Sequence, residues 1–383
     1  MPSSSGMVMV FRARKSRVVL TFRIQDADMA AHPRISGGFA AAHHVLMAPS
    51  ATQAYRHVTA LAQADLPLHE LGAELSAALS GLVPHEGYCL IGFDPVSGLR
   101  AFHTDRDTLA GSPARLVRNE TVEHDLHRFA DLARRPSPVG TLGSGAPGED
   151  RSPRLHEILA EQGFGRELRL ALRTRGTLWG ALVLLRERGR PPFTDEQAIT
   201  ITAIAPPLTQ AVRQVNVRLR RQPPPPLAPG VVIVGPDDSA EAISPQAAAW
   251  FSDFAAAEQP LPYVVLQAVA AARNKQGARG DQLARIRTRS GRWLCLAACP
   301  LGGGRVAVVL QPATTDQLVP ALAAWYGFTP RQLDVLRFLV QAHSIKQIAR
   351  RLELSPHTVE DHLKTLYRKT GTNSQQELIA ALR

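Results

Sequence analysis

Near residue 70 the apolar positions recur at helical spacing and place four leucines on one face of a predicted helix: Leu71, Leu75, Leu79 and Leu82. Farther along, residues 87–94 and 99–104 flank a Pro-Val-Ser-Gly turn and predict an antiparallel hairpin. Residues 166–175 and 177–187 predict a second hairpin, which turns around Gly176. A helix followed by antiparallel hairpins indicates an α+β domain.

Proline, glycine and capping residues mark the loops and a domain boundary. Residues 134–154 are rich in Pro, Gly and Ser, and we expect a long surface loop there. Thr194 and Gln197 form a predicted capping box that starts a helix. Four consecutive prolines within residues 218–229 then impose an extended spacer. Beyond it, a second domain is predicted to begin at residue 230 with a strand, small helices and two further strands.

Residues 328–383 carry four helix starts with the residue types that cap helices: Thr329 with Gln332, Ser344 with Gln347, Ser355 before Pro356, and Ser374 with Glu377. Apolar side chains of the first three predicted helices converge on one small core, which the fourth helix closes. Only residues 353–356 separate the second helix from the third, so we expect the two helices to meet at a steep angle. This spacing predicts a helix-turn-helix.

The charge of the chain narrows the choice of partner. Its 383 residues include 44 Lys and Arg against 33 Asp and Glu, a formal net charge of +11. Such a surplus favours nucleic acid or an anionic membrane surface. No segment approaches the roughly 18 consecutive apolar residues that span a bilayer, so we predict no membrane partner. Cys89, Cys295 and Cys299 lack disulfide or zinc spacing, which favours a reducing cytoplasm and predicts no metal site.

The third predicted helix of the C-terminal segment is polar on the side opposite its apolar residues. Seven of these polar residues are expected to face DNA bases: His357, Thr358, Glu360, Asp361, Lys364, Thr365 and Arg368. Four other cations are expected to contact DNA phosphates: Lys346, Arg350, Arg351 and Lys369. The pattern alone leaves one alternative open, a small helical interaction module whose polar face is simply solvated.

At these residues the chain resembles the LuxR/NarL type of bacterial helix-turn-helix domain. The resemblance lies in the segments TPRQLDVLRFL, KQIARRL and LSPHTVEDHLKTLYRKTG and covers residues 328–383. It implies binding to double-stranded DNA through the helix at residues 356–369, with Glu360, Asp361 and Lys364 facing bases. The function that it implies is transcriptional regulation.

The chain departs from that family's pattern at positions in caps and core rather than among the base-facing residues: Gln332, His343, Thr370 and Thr372. The family usually has an acidic residue at the first, a glycine at the second and apolar residues at the last two. We therefore expect the departures to affect stability more than DNA binding. A single module of this size reads few base pairs, so we also predict a homodimer that reads two half-sites. The last helix is the expected contact, to which the resemblance also points, and RNA polymerase is a further expected partner.

Upstream, the segment LRLALRTRGTLWGALVLLRERGRPPFTDEQ resembles the closing hairpin and last helix of a GAF-type sensory domain. Residues 230–312 resemble a PAS-type module, with a helix-covered sheet that only spaces or dimerises as the alternative. A sensory domain implies an unknown small-molecule effector. Four residues are candidates for its pocket, with plain packing of the core as their alternative role: Tyr88, Phe93, Phe102 and Trp179.

These features together predict a multidomain α+β chain, with GAF-like and PAS-like antiparallel sheet domains and a C-terminal all-α, four-helix helix-turn-helix domain. We expect a poorly ordered extension at residues 1–50, in which Met47 is an alternative start of translation. The expected domains follow in this order: GAF-like at 51–217, proline-rich linker at 218–229, PAS-like at 230–315 and helix-turn-helix at 316–383.

The expected function is that of a one-component, sequence-specific transcriptional regulator in the cytoplasm, whose N-terminal domain responds to a ligand. Two alternatives stand beside it: the GAF-like domain is only a dimerisation scaffold, or an enzyme domain is fused to a DNA-binding module. The sequence has no nucleophile elbow, HExxH motif or P-loop. We therefore predict that the protein is not an enzyme and has no catalytic residues and no cofactor.

Overall fold

The computed structural model describes most of the chain: residues 8–13, 16–21, 49–64, 66–106, 113–217, 225, 227–254, 261–274 and 283–381. The chain divides into two compact units, residues 1–46 and 47–383. In the first unit, β1 (Val8–Ala13) and β2 (Ser16–Thr21) pair antiparallel. The other residues of the predicted extension at 1–50 lie outside the described residues until α1 begins.

Residues 49–217, here called the N-terminal sheet domain, contain a five-stranded antiparallel sheet with helices on both faces. Its helices and strands are α1 (Pro49–Gln63), α2 (Leu68–Ser80), β3 (Gly87–Phe93), β4 (Arg100–Arg106), α3 (Pro113–Thr121), α4 (Phe129–Leu132), β5 (Val139–Leu142), β6 (Phe164–Thr174), β7 (Thr177–Glu187) and α5 (Asp195–Val217). The strand order is β4-β3-β7-β6-β5. Both predicted hairpins are present as β3–β4 and β6–β7.

Two apolar cores lie on opposite faces of this sheet. The first holds α1, α2 and α5 against β3, β6 and β7, and it includes the predicted leucine stripe of α2. Leu71, Leu75 and Leu79 are buried in it, while Leu82 packs against its edge. The second core joins the other face to α4 and to a π-helix at Arg154–Leu159. Alternate residues of β3 point into the two cores, as period-2 side-chain alternation requires.

The prediction of a long surface loop at residues 134–154 is wrong in part. β5 (Val139–Leu142) lies within it and pairs with β6. A strand this short is held by hydrogen bonds to the main chain of its neighbour. The amino-acid composition of β5 therefore does not predict that it is a strand. The glycine-rich part that follows is also anchored, because the buried carboxylate of Glu149 accepts hydrogen bonds from the main-chain N–H groups of Ser144 and Gly145.

Residues 227–312, the middle sheet domain, form a second five-stranded antiparallel sheet. Its helices and strands are β8 (Gly230–Val234), β9 (Ala240–Ile243), α6 (Pro245–Phe254), α7 (Tyr263–Arg273), β10 (Leu283–Arg287), β11 (Trp293–Pro300) and β12 (Val306–Pro312), in the strand order β10-β11-β12-β8-β9. Trp250 and Val265 of the two helices are buried against the sheet. The predicted linker at 218–229 lies mostly outside the described residues.

Residues 314–381, the C-terminal helical domain, contain α8 (Thr315–Tyr326), α9 (Pro330–Val340), α10 (Ile345–Leu352), α11 (Pro356–Thr370) and α12 (Gln375–Ala381). The last four are the predicted helices. Their buried side chains form one core: Val335, Leu336, Leu339, Ile348, Ala349, Leu352, Val359, Leu363, Leu366 and Leu378. The sequence did not predict α8, which a capping box between Thr314 and Gln317 begins. The prediction of antiparallel sheet domains followed by an all-α domain is confirmed.

The three domains meet at a buried cluster that we call the tryptophan junction: Trp179 of β7, Trp293 of β11 and Trp325 of α8. The rings of Trp293 and Trp325 stack with their centroids 4.9 Å apart. The guanidinium of Arg213 lies over the ring of Trp179, 4.3 Å from its centroid, and donates a hydrogen bond of 2.7 Å to the carbonyl of Trp325. Aromatic surface from each domain is thus removed from water at one place.

A buried ion pair reinforces the junction. Asp94, directly after β3, and Arg285 of β10 lie 3.1 Å apart, and both side chains are almost inaccessible to water. The main-chain N–H of Arg285 also donates to Asp94 Oδ2 at 2.9 Å, and its guanidinium donates to the carbonyl of Gln317 in α8. One arginine therefore connects parts of all three domains.

Replacing Asp94 by alanine removes the buried carboxylate that accepts hydrogen bonds from both the main-chain N–H and the guanidinium of Arg285. We expect the Asp94→Ala change to lower the free energy of unfolding by about 3–5 kcal/mol, measured by urea denaturation with tryptophan fluorescence. The matched control is Asp150→Ala, because the Asp150 side chain is 75% exposed and its ion pair with Arg151 spans 3.8 Å. We expect the control to cost no more than about 1 kcal/mol. Equal losses in the two variants would contradict the role given to Asp94.

Candidate nucleic-acid interface

Helices α10 and α11 are positioned by hydrogen bonds that the sequence predicts. Ser344 accepts from the main-chain N–H of Gln347, whose side chain accepts from the N–H of Ser344. Ser355 accepts from the N–H of Thr358 at 3.1 Å, and Pro356 takes the first helical position, where no N–H is needed. The predicted start of each helix is thereby confirmed.

The turn between α10 and α11 is short because one residue reverses the chain. Glu353 has φ 55° and ψ 44°, the left-handed conformation that ends a helix. The N–H of Leu354 donates back to the carbonyl of Ala349 at 2.9 Å. Val359, Leu363 and Leu366 of α11 then face the core. The opposite side of α11 is left for solvent or a partner.

The structure brings the predicted base-facing residues together on that side of α11. The side chains of His357, Glu360, Asp361 and Lys364 are between 50% and 78% exposed. Arg368 is exposed as well, whereas Thr358 and Thr365 are half-buried. Thr365 donates its hydroxyl to the carbonyl of Asp361, one turn earlier. The packing of the other domains leaves this surface, called here the α11 face, open.

Asp361 is the electrostatic centre of the α11 face. Its carboxylate lies 3.2 Å from the ammonium of Lys364 and 3.8 Å from Nε2 of His357. Glu360 lies 4.0 Å from Nδ1 of the same histidine. Exposed pairs of this kind contribute only about 0–1 kcal/mol, so exchanging them for contacts with a ligand costs little.

The four predicted phosphate-contacting cations divide into two groups. Lys346, Arg350 and Arg351 of α10 are exposed, and the guanidinium of Arg351 lies 5.6 Å from the ring centroid of Phe338. Lys369 differs, because its ammonium donates to the carbonyl of Gly327 at 2.6 Å and to the side chain of Gln332 at 2.9 Å. Burial, followed by the nearby charge of Arg368, lowers the pKa of Lys369. The structure therefore ties Lys369 to the start of α9.

Three of the four positions that depart from the LuxR pattern have satisfied side chains, whereas Nδ1 of the fourth, His343, is buried without a hydrogen-bond partner among the described residues. Gln332 completes the capping box of α9 with Thr329 and accepts from Lys369. The hydroxyls of Thr370 and Thr372 lie 2.9 Å apart, and Thr370 donates to the carbonyl of Leu366, so these buried polar groups are satisfied. At the start of α10, Ala342 rather than His343 adopts the left-handed conformation, with φ 61°.

The four candidate pocket residues do not come together. Tyr88 lies in the core on one face of the N-terminal sheet, and Phe102 packs against that core and covers Gly92. Phe93 lies on the other face beside Phe129, whose ring is covered by the guanidinium of Arg169 at 3.7 Å. Trp179 belongs to the tryptophan junction. The four side chains thus occupy three separate packing environments.

Charged side chains are buried beside Phe129, and the sequence did not predict them there. Arg154, at the start of the π-helix, is fully buried and donates to Glu167 of β6 at 2.8 Å. Arg169 on the same strand pairs with Glu120 at 2.6 Å. These pairs fill the space between the sheet and α3. Alternating Glu167 and Arg169 on a strand resemble a solvated edge, so only the tertiary structure reveals their burial.

Within the described parts of the chain, no helix is long and apolar enough to cross a membrane, and no three His, Cys, Asp or Glu side chains are grouped to hold a metal ion. Cys295 is buried and Cys299 is exposed on the same strand, and neither of them forms a disulfide. The cysteines thus offer no metal-binding geometry in this part of the chain.

Comparison with known proteins assigns the C-terminal helical domain to a family. Residues 327–382 match the family model described as GerE, bacterial regulatory proteins of the luxR family. A putative HTH-type transcriptional regulator from Mycobacterium bovis is 42% identical over 55 residues, which are 14% of this chain and 6% of that protein. The response regulator Rre1 from Synechocystis sp. is 44% identical over 52 residues, 14% of this chain and 22% of that protein. The chain thus spans only a small part of these relatives.

Solved structures give weaker likenesses. The GAF domain of a phosphoenolpyruvate-protein phosphotransferase from Coxiella burnetii aligns with 42% of this chain and 90% of its own, at 15% identity and a TM-score of 0.30. Escherichia coli SdiA aligns with 86% of this chain and 94% of its own, at 12% identity and a TM-score of 0.34. Scores this low assign neither a ligand nor a function. The sequence match, with the capped helices and the open α11 face, identifies residues 327–382 as a helix-turn-helix domain of the LuxR family of bacterial regulatory proteins.

Proposed function

We propose that the protein is a transcriptional regulator that binds double-stranded DNA sequence-specifically, with α11 in the major groove. The observation that carries the proposal is the match of residues 327–382 to the LuxR family, combined with the exposure of the polar α11 face in that same domain. The alternative of a merely solvated polar face accounts for the exposure but not for the family match. The name of the matched Mycobacterium bovis relative also states transcriptional regulation.

The α11 face has the side chains that base recognition requires. Lys364 presents an ammonium that can donate to guanine O6 and N7, and Glu360 can accept from the amino group of cytosine. In the free protein Lys364 is paired with Asp361 at 3.2 Å. Because both partners are more than half exposed, the ammonium is released from this pair at little cost when DNA binds.

Affinity comes mainly from cations that contact the phosphates. Lys346, Arg350 and Arg351 are exposed on α10, the helix that precedes α11. Lys369 is a weaker candidate than the sequence suggests, since a phosphate contact must compete with its bonds to Gly327 and Gln332. We therefore assign the phosphate contacts to the three cations of α10. Arg368 belongs to the α11 face and would lie beside the major groove.

Three further parts of the proposal rest on architecture. A single module of this size reads few base pairs, so we propose a homodimer on two half-sites, with α12 as a contact between protomers. We propose that a small-molecule effector acts through the domains upstream, and that RNA polymerase is a partner at the promoter. As a bacterial DNA-binding protein it would act in the cytoplasm.

The first test is the Lys364→Ala variant. If Lys364 contacts a base, we expect binding to the preferred duplex to weaken by about 1–3 kcal/mol, and discrimination at one base pair to decrease. Fluorescence anisotropy with the preferred duplex and with duplexes altered at single base pairs measures both effects.

Lys346→Ala is the matched control for this test, because it removes one exposed lysine from α10. We expect it to weaken binding to all duplexes evenly and to reduce the salt dependence by about one unit of slope. If both variants behave alike, the assignment of Lys364 as a base contact is wrong.

The second test concerns the homodimer. Light scattering of the full chain on its preferred duplex should give two protomers per duplex. Insertion of about 5 bp between the half-sites turns them to opposite sides of the DNA and should abolish the second binding event, whereas about 10 bp should restore it. One protomer per duplex, or indifference to the spacing, would rule out the paired half-site arrangement.

A further inference from the structure

A cleft of about 320 Å³ lies where α5 of the N-terminal sheet domain meets α8 and the end of α11. Its lining is polar, with Thr209, Gln210, Arg213 and Gln214 from α5 and Trp325 and Lys369 from the C-terminal helical domain. The volume is at the lower end of the range of small-molecule sites. No acidic side chain lines the cleft, although two cations do.

The guanidinium of Arg213 makes fewer hydrogen bonds and ion pairs than a partly buried guanidinium normally makes. Its Nη2 donates to the carbonyl of Trp325 and its plane lies over the ring of Trp179, but its Nε is buried without a hydrogen-bond partner in the described part of the chain. No carboxylate there lies within ion-pair distance. Burial alone lowers the pKa of Arg213, which reflects the same lack of compensation.

Arginines that are buried elsewhere in the chain show how partners normally compensate such a charge. Arg154 is paired with Glu167, and Arg285 with Asp94. Arg186 has no carboxylate partner among the described residues, yet it donates to the carbonyls of three prolines and to the side chain of Gln197. Arg213, by contrast, donates to one carbonyl among the described residues, that of Trp325. Because Nε is buried, the donors that remain for a ligand in the cleft are those of the terminal Nη groups, and an oxyanion accepts two hydrogen bonds from one guanidinium.

Lys369 supplies the second cation. Two of its three donors are taken by Gly327 and Gln332, which leaves one for a ligand. Because the two groups that hold it are an uncharged carbonyl and an uncharged amide, its charge is not neutralised. An anion in the cleft would therefore compensate two partly buried positive charges at once, and the amides of Gln210 and Gln214 offer further donors.

We propose that this cleft binds a small molecule that bears a carboxylate or phosphate group, held by Arg213 and Lys369. The ligand would connect α5 to the last turn of α11. Since α11 carries the α11 face, the bound anion affects the helix that contacts DNA; this consequence rests on the proposed DNA-binding function. Binding of the anion itself does not depend on that function.

The binding test uses the full chain without DNA. Inorganic phosphate and succinate are titrated separately in a calorimeter at constant ionic strength, which distinguishes the two oxyanion classes. We expect saturable binding of at least one of them, with a change in tryptophan fluorescence because Trp325 lines the cleft. Arg213→Gln should weaken this binding about tenfold or more, since a charged hydrogen-bond donor is lost. The control Arg305→Gln, at an exposed arginine of the middle sheet domain, should leave it unchanged.

A second variant keeps the test decisive if Arg213→Gln disturbs folding. Gln210→Glu changes an exposed residue of α5 and places a carboxylate at the cleft, so it should also weaken anion binding strongly. Gln246→Glu, exposed on α6, is its charge-matched control. If neither anion binds, or if both controls weaken binding as much as the cleft variants, the proposal is overturned.

Titration of DNA with and without the anion that binds then separates this inference from the proposed function. Coupling is reciprocal, so an anion that alters DNA affinity must itself bind with altered affinity when DNA is present. Anion binding in a chain that binds no DNA would support the cleft and refute the DNA-binding proposal. If the bound anion leaves the affinity for DNA unchanged, the cleft binds the anion but does not influence the helix that contacts DNA.

Discussion

The contact between Asp94 and Arg285 sets the arrangement of the domains. Both charges are removed from water, which is costly unless each finds its partner, and Arg285 finds a second one in the carbonyl of Gln317. The end of β3, the strand β10 and the helix α8 must therefore occupy their relative positions together. The tryptophan junction packs around the same place, with one indole from each domain. Apolar surface supplies attraction there, whereas the ion pair penalises packed arrangements that bury either charge without a partner.

This constraint acts on the DNA-binding domain through α8 rather than through the α11 face. α8 contacts both sheet domains through Trp325, whose ring stacks on Trp293 and whose carbonyl accepts a hydrogen bond from Arg213. The residues of the α11 face stay exposed in the same arrangement. The contacts between domains and the proposed contacts with DNA thus use different sides of the C-terminal helical domain. The cleft beside Arg213 lies between these regions, where α5, α8 and the end of α11 approach one another.

Local rules predicted the features whose cause is local. The capping residues Thr329, Ser344 and Ser355 start their helices as expected, because a cap needs only the next three residues. β5 escaped prediction because its partner strand, not its own composition, makes it a strand. Asp94 and Arg285 are 191 positions apart, and no spacing rule joins them. For the same reason, the four candidate pocket residues looked alike in sequence but are divided among three packing environments, and Lys369 proved to be tied to Gln332.

Sequence-specific DNA binding is the central claim, and one competition experiment tests it most directly. The full chain is used to select duplexes from a random library, and its affinity for the best duplex is compared with that for a scrambled duplex of equal length and composition at physiological salt. We predict a preference of about a thousandfold or more, the lower limit for specific DNA-binding proteins. A library without enrichment, or equal affinities of the folded protein for the two duplexes, would contradict the claim.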